Sequence, residues 1–575
     1  MLVPDIAGCY VLSQANDYYC KWMARVRVSL MPARAGHNGV TTAGGQGKEG
    51  TVTGTLPRPD RAGVSPDDDR RLHRSLGTAS LSAITLSSVI GSGWLFAAYN
   101  AAKVAGPAAL LSWLITGVAT LLVSLVFIDL AFRRPLSGGN VRWPQLASGP
   151  LVGAVIGWAV FLQAVYAGPS ESTALAQYAA KWIPGLVENE TLTLFGRLFA
   201  VAVLGMFFYV NMFGVRFIAK VNNVVTVVKV AVPLLTVVLL LASGFDTTNY
   251  DVGGGFAPYG VSAALTAVVG SGLVYSFTGI NAAAVLSGEA SDARKTVPRA
   301  TFIALALAFA IYFGLQLAML FTMPTDQLSG GWHGINFKSP LAELASLIGL
   351  VWLSWLLLAD AVFSPAGSML VSAGVKGRYT YGAAQNGILP RFFAGVHERS
   401  GIPRRALLLN LSLGAVIILL FGDWKSIASS LSFYYGLSYA AVSIAVCVWH
   451  AAEPSSGWLG RWSPAVGATS FVLSGLILYW SGWEKVRVAM PLLLLGFLIY
   501  LWRARRGGAP GFNGVWLVVL LVALTGVSAV GSFGGTGTLA APLDSVLVAI
   551  ICGIGVWFGR RSGLAWRKTQ QHEEA

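Results

Sequence analysis

The 575-residue chain is 55% hydrophobic and only 11% charged, where a soluble globular chain carries roughly a quarter charged residues. That balance excludes a cytosolic enzyme of ordinary composition and predicts an all-α polytopic membrane protein. The formal charge of +15, from 40 Lys and Arg against 25 Asp and Glu, would suit a nucleic-acid binder only if it lay on a soluble face, so its position along the chain decides its meaning.

Residues 1–75 mix Gly, Thr, Arg, Pro and Asp without a sustained apolar run and are expected to form a mobile cytoplasmic tail. From residue 76 onward apolar segments recur, each long enough to cross about 30 Å of hydrocarbon as a helix. Fourteen spans are predicted, at 77–101, 107–132, 150–181, 194–213, 217–243, 260–287, 299–322, 340–374, 406–422, 427–449, 464–481, 488–502, 514–533 and 541–559. The first ten form a core over 76–450, the last four an extension over 451–560, and 561–575 a second cytoplasmic tail. With the first tail inside and left out of the count, 22 Lys and Arg lie between spans, near their ends or after the last one on the cytoplasmic side, and 7 between spans or near their ends on the other. By the positive-inside rule both termini are cytoplasmic, in a plasma membrane such as the bacterial inner membrane. The charge surplus is then a topology signal, and a nucleic-acid partner loses its support.

Two spans are spoiled near mid-depth. Span one carries Ser87-Ser88-Val89-Ile90-Gly91-Ser92-Gly93-Trp94, and span six carries Gly270-Ser271-Gly272-Leu273-Val274-Tyr275-Ser276-Phe277-Thr278-Gly279-Ile280-Asn281. Glycine costs a helix about 1 kcal/mol relative to alanine and lets the backbone turn outward. Broken helices at matching places in two opposed five-helix halves, spans 1–5 and 6–10, point to an inverted-repeat transporter with its site at the membrane midplane. Amides at the first break suit a carboxylate and carbonyls at the second an ammonium. An amino acid offers both. The competing reading is that small residues merely let helices pack closely.

These motifs resemble those of the amino acid-polyamine-organocation superfamily of permeases. Gly91-Ser92-Gly93 is similar to its span-one glycine motif, and Tyr275 through Asn281 to its span-six motif. Gly288-Glu289 through Pro298-Arg299 resembles the loop after span six. Gly377-Arg378, Asn386-Gly387-Ile388-Leu389-Pro390 and Gly401-Ile402-Pro403 resemble the loop after span eight. The flavour is closest to the aspartate/proton symporter type. The resemblance implies a substrate site of Gly91, Ser92, Gly93, Tyr275, Ser276, Phe277, Gly279 and Asn281. Trp94 and Tyr275 border the breaks and are expected to gate it. Many members carry Glu where this chain has Asn281, which argues against cationic substrates and permits neutral or acidic ones.

Ionisable residues inside spans are expensive and therefore suspect. Lys229 lies about 15 Å into span five, and the resemblance places its ammonium where related carriers hold sodium, so it is expected to make transport proton-linked. Asp360, near mid-depth in span eight, is expected either to pair with Lys229 or relay the proton, or else to make a plain hydrogen bond. Glu171, nearer the outer end of span three, is a lesser candidate for the pathway. Asp129, before Arg133 and Arg134, reads as a gate or interface ion pair. Cys9, Cys20, Cys447, Cys552 and six histidines show no metal spacing, and no phosphate loop appears, so neither metal, cofactor nor ATP drive is expected.

The sequence thus predicts proton-coupled symport of an amino acid by alternating access, not an enzyme. The partners are substrate, protons and the lipid bilayer. An exchanger without net proton coupling, a small-ion channel and a polytopic membrane enzyme are the alternatives; the last would need acidic and His clusters near a membrane face.

Overall fold

A computed structural model describes residues 76–574, apart from 137, 212–214, 253, 386–387, 396, 398–402, 455 and 508–512. The expected tail at 1–75, Asn386-Gly387 and Gly401-Ile402 lie outside the described residues. All the described residues belong to one compact unit, Ala62–Ala575.

They are almost entirely helical. The first expected span is two helices, α1 (Thr78–Val89) and α2 (Gly93–Ala105), followed by α3 (Ala109–Arg133), a short α4 (Gly139–Ser148) and α5 (Pro150–Ala179). A small hairpin, β1 (Val187–Glu188) and β2 (Thr191–Leu192), leads into α6 (Leu194–Asn211) and α7 (Val215–Ser243). The sixth expected span is in three pieces, α8 (Val261–Gly270), α9 (Leu273–Ser276) and α10 (Ala282–Val285). Then come α11 (Ala293–Phe321), α12 (Pro340–Leu347), α13 (Val351–Gln385), α14 (Arg404–Phe421) and α15 (Trp424–Ala452). The extension is α16 (Ser463–Trp480), α17 (Trp483–Gly507), α18 (Val515–Val530) and α19 (Leu543–Glu574).

Among the described residues eleven helical stretches are long and apolar enough to cross a membrane, one of them covering α2 and α3 together; α1, α8 and α18 are apolar but shorter. Helices α5 and α15 are buried along nearly their whole length. Five serines of α15, among them Ser432 and Ser443, return their hydroxyls to carbonyls three or four residues back, which satisfies them inside the bundle. Around this centre, α17, α18 and α19 leave large side chains such as Leu494, Leu498, Val522, Ile550 and Ile554 exposed. Apolar surface of that extent needs hydrocarbon rather than water against it. The chain is a multi-pass membrane protein.

Several boundaries differ from expectation. Span eight, expected as one run at 340–374, is divided at Ile348–Leu350, where Gly349 takes a left-handed φ of +84°. Its second part continues to Gln385, into what was expected to be loop. Neither α4 nor the hairpin is signalled by an apolar run. Asn189 (φ 47°) and Glu190 (φ 63°) form the hairpin's two-residue tip, both left-handed, a turn that ordinarily wants Asn-Gly. Glu190 is kept there by its contacts: its Oε1 accepts the Tyr99 hydroxyl at 2.7 Å and pairs with Lys103, both on α2. The Leu192 amide donates to the Gly422 carbonyl at 2.8 Å, tying the hairpin to the turn before α15.

Candidate functional site

The two interrupted helices cross each other at their breaks. A Cβ on Gly93 would stand 2.6 Å from Ser276 Oγ and 2.9 Å from Ser276 Cα, and one on Gly279 would stand 2.6 Å from the Ser88 carbonyl oxygen. The pairing 93 with 276 and 88 with 279 makes the crossing antiparallel. Close packing is therefore a real function of Gly93 and Gly279, and Gly279 also needs its φ of +100°.

Backbone freed by the breaks is largely reclaimed by side chains. Tyr312 of α11 donates to the carbonyl of Val89 at 3.1 Å and is also 3.0 Å from that of Ser276, joining both breaks. The Tyr275 carbonyl accepts the Thr278 hydroxyl at 2.7 Å. Carbonyls expected to face a substrate ammonium thus have internal partners in this conformation. Phe277, expected at the substrate site, packs among Trp113 and Tyr312, with ring centroids 6.0 and 5.2 Å away.

At the first break the chain supplies its own carboxylate. Glu171 Oε1 accepts the Tyr275 hydroxyl at 2.9 Å and lies 2.6 Å from where a Cβ on Gly91 would be. The Ser92 amide and hydroxyl are turned toward the same carboxylate. Its second oxygen is buried and has no hydrogen-bond partner among the described residues. Tyr275 also meets Ser92 and Ser170, each at 3.0 Å. Trp424, at the start of α15, donates to Ser92 Oγ at 2.9 Å and stands edge-on to Tyr275. Phe96 stacks on Trp424 at 5.0 Å. Tyr275 is therefore part of an aromatic cover, whereas Trp94 is fully buried with its indole N–H unpartnered.

Lys229 is buried in α7 and reaches the first break. Its ammonium donates to the Ser87 carbonyl at 3.4 Å and to the Ser368 hydroxyl of α13, bridging two helices through a carbonyl and a hydroxyl. Such a donor set also suits a small cation. The expected pair with Asp360 does not form. Asp360 is buried, and among the described residues neither of its oxygens has a hydrogen-bond partner. Asp129 does form the expected interface pair: Arg133 Nε is 2.7 Å away, and the amide of Leu459 donates to it at 2.9 Å.

A cavity of about 230 Å³ runs from Glu171 and Tyr275 past Asn281 toward the end of the bundle that carries Asn140 and Lys376. Asn281 lines it, donating to Asn140 Oδ1 at 3.0 Å. Of the residues expected at the site, Tyr275, Gly279 and Asn281 border this space; Gly91, Ser92 and Gly93 lie behind Glu171 and Ser276. Sequence reasoning underweighted Glu171 and missed Tyr312, Trp424 and Lys376. Only Glu171 carried a signal, an ionisable residue beside Gly168-Pro169-Ser170 in an apolar span.

Residues 76–502 match the model of a family described as amino acid permease. The chain is 34% identical over 509 residues to the glutamate/serine transporter AimA of Bacillus subtilis (strain 168), covering 86% of this chain and 94% of that one. It is 31% identical over 491 residues to the aspartate-proton symporter of the same organism, covering 83% and 94%. The human cationic amino acid transporter 4 is 27% identical over 391 residues, 66% of this chain and 60% of that one.

Proposed function

This chain belongs to the amino acid permease family, and from that premise we propose that it carries a neutral or acidic amino acid across the plasma membrane together with protons, by alternating access. Fourteen spans with both termini cytoplasmic accommodate the helices: α1 with α2 and α8 to α10 each count as one broken span, and α12 with α13 as another. The cavity then opens to the cytoplasm, while Trp424, Tyr275 and Phe96 cover the outer side.

The observation that carries the reading is the buried Glu171 carboxylate lying against the first break. A substrate carboxylate would seek the same amides. Two carboxylates in one dry site cannot both be ionised, so a substrate enters when Glu171 takes a proton, and proton and substrate travel together. Lys229, bonded to Ser87 and Ser368 across the break, holds α1 against α13 until that change; its own proton exchange would be the second coupling element, with Asp360 close enough to bias it. Ser276 and its neighbours would offer carbonyls to the ammonium once Tyr312 yields them. The names of the relatives, a glutamate/serine transporter and an aspartate-proton symporter, agree with a neutral or acidic substrate.

Uptake of labelled amino acids into proteoliposomes, with and without an inward proton gradient, tests the proposal. Gradient-stimulated uptake is expected, and Lys229→Gln should abolish the stimulation. Uptake indifferent to the gradient would leave an exchanger, and no amino acid uptake would overturn the reading.

A further inference from the structure

We propose that Lys376 receives the side-chain carboxylate of the substrate and so selects aspartate- or glutamate-like molecules over neutral ones; the inference rests on the transport reading above. Lys376 projects from α13 into the same cavity, at the end away from Glu171. It is half-buried, and among the described residues its ammonium meets the Tyr435 hydroxyl at 3.4 Å, a long contact, and the faces of Tyr379 and Tyr435 at 5.5 and 6.0 Å.

Among the described residues no carboxylate pairs with it. A cation withdrawn from water without a counter-charge is costly, and two aromatic faces compensate only in part. Of the cavity's other polar side chains, Asn140, Gln163 and Asn281 are neutral amides, the serines and Thr278 are neutral hydroxyls, and the carboxylate Glu171 lies at the far end. An anion entering through the cavity would supply that counter-charge.

The spacing supports a substrate carboxylate in that role. Ser368, which meets Lys229 beside the first break, and Lys376 are eight residues apart on one helix, about 12 Å along its axis. The lysine's own stem shortens that interval. An extended acidic amino acid can then place its α-carboxylate at the break and its side-chain carboxylate against Lys376. A neutral side chain would end short of the ammonium and leave it uncompensated, which is discrimination by an unmet charge.

The test compares uptake of labelled aspartate, glutamate and serine by wild type, Lys376→Gln and Lys376→Arg in proteoliposomes. Lys376→Gln is expected to raise KM for aspartate at least tenfold with a smaller change in kcat, and to shift the aspartate-to-serine ratio of kcat/KM by the same factor. Lys376→Arg keeps the charge and should recover most of the ratio. Thermal-shift measurements in detergent provide a second readout: aspartate should stabilise wild type and not Lys376→Gln. A ratio unchanged by Lys376→Gln, or wild-type uptake of serine without either acid, overturns the inference and leaves the transport reading standing. Failure of all three substrates in wild type overturns both.

Discussion

Two buried carboxylates mark the difference between the core and its C-terminal extension. Asp544, at the start of α19, is fully buried and accepts hydrogen bonds from the Tyr479 hydroxyl at 2.6 Å, the Ser532 amide at 3.1 Å, the Ser532 hydroxyl and the Ser545 amide. Glu171, in the core, has one oxygen against Tyr275 and another with no partner. A carboxylate with both oxygens met by donors fastens helices; one left partly unmet in a dry site is available to a proton or a ligand. Asp129, ringed by Arg133, Leu459 and Ser463, belongs with the first kind. Asp360, with neither oxygen partnered, belongs with the second.

The sharpest way to break this contrast is Glu171→Gln. It preserves shape and removes the titratable oxygen, so gradient-driven uptake should fall roughly ten- to a hundredfold, the scale of losing a hydrogen-bonded charge. Protein yield and melting temperature should change little. Asp544→Asn should behave the opposite way. It replaces an acceptor with a donor amid donors, costing about 1–3 kcal/mol of stability, visible as earlier thermal unfolding in detergent, with KM unaltered. If Asp544→Asn instead altered KM, satisfaction of hydrogen bonds would no longer separate structural from functional carboxylates.

The smallest expected effect is at Glu453, between α15 and α16, whose carboxylate meets both Arg134 and Arg567. Burial pushes its carboxyl up, but the two guanidiniums outweigh that and hold it below the ordinary range. A lowered value means the pair stabilises the fold above the ordinary Glu pKa of about 4.3 and is lost as pH falls through the folded value. With 37% of the side chain exposed, solvent screening leaves only about 0.2–1 kcal/mol. Glu453→Gln should lower the melting temperature slightly at neutral pH and low salt, and not at all in high salt.

How much of the molecule was legible in the chain depends on which coordinate is asked for. Depth in the membrane can be counted along a helix, so the breaks at Gly91-Ser92 and Gly272 and the mid-span position of Lys229 could be located from residues alone. Azimuth cannot, because the side a residue faces depends on which helices pack around it. Glu171 read as peripheral, though its helix turns it onto the first break. Tyr312 and Trp424 looked like ordinary apolar-span aromatics, and Lys376 like one more cytoplasmic charge. Glycine carried a further ambiguity: freeing amides and permitting close approach leave the same residue in the sequence, and only the fold shows that Gly93 and Gly279 serve the crossing. Span eight was misjudged because a single left-handed Gly349 divides helices without interrupting an apolar run.

The hairpin tip gives its attachment to α2 a mechanical property. Asn189 and Glu190 hold a backbone shape that costs a non-glycine residue about 1–2 kcal/mol, and Glu190 is kept in it by gripping Tyr99 and Lys103 on α2. Because α2 is half of a broken helix, letting go of it frees the tip to relax. Were α2 to move away, relaxation of the turn would offset part of the ion pair given up with Lys103.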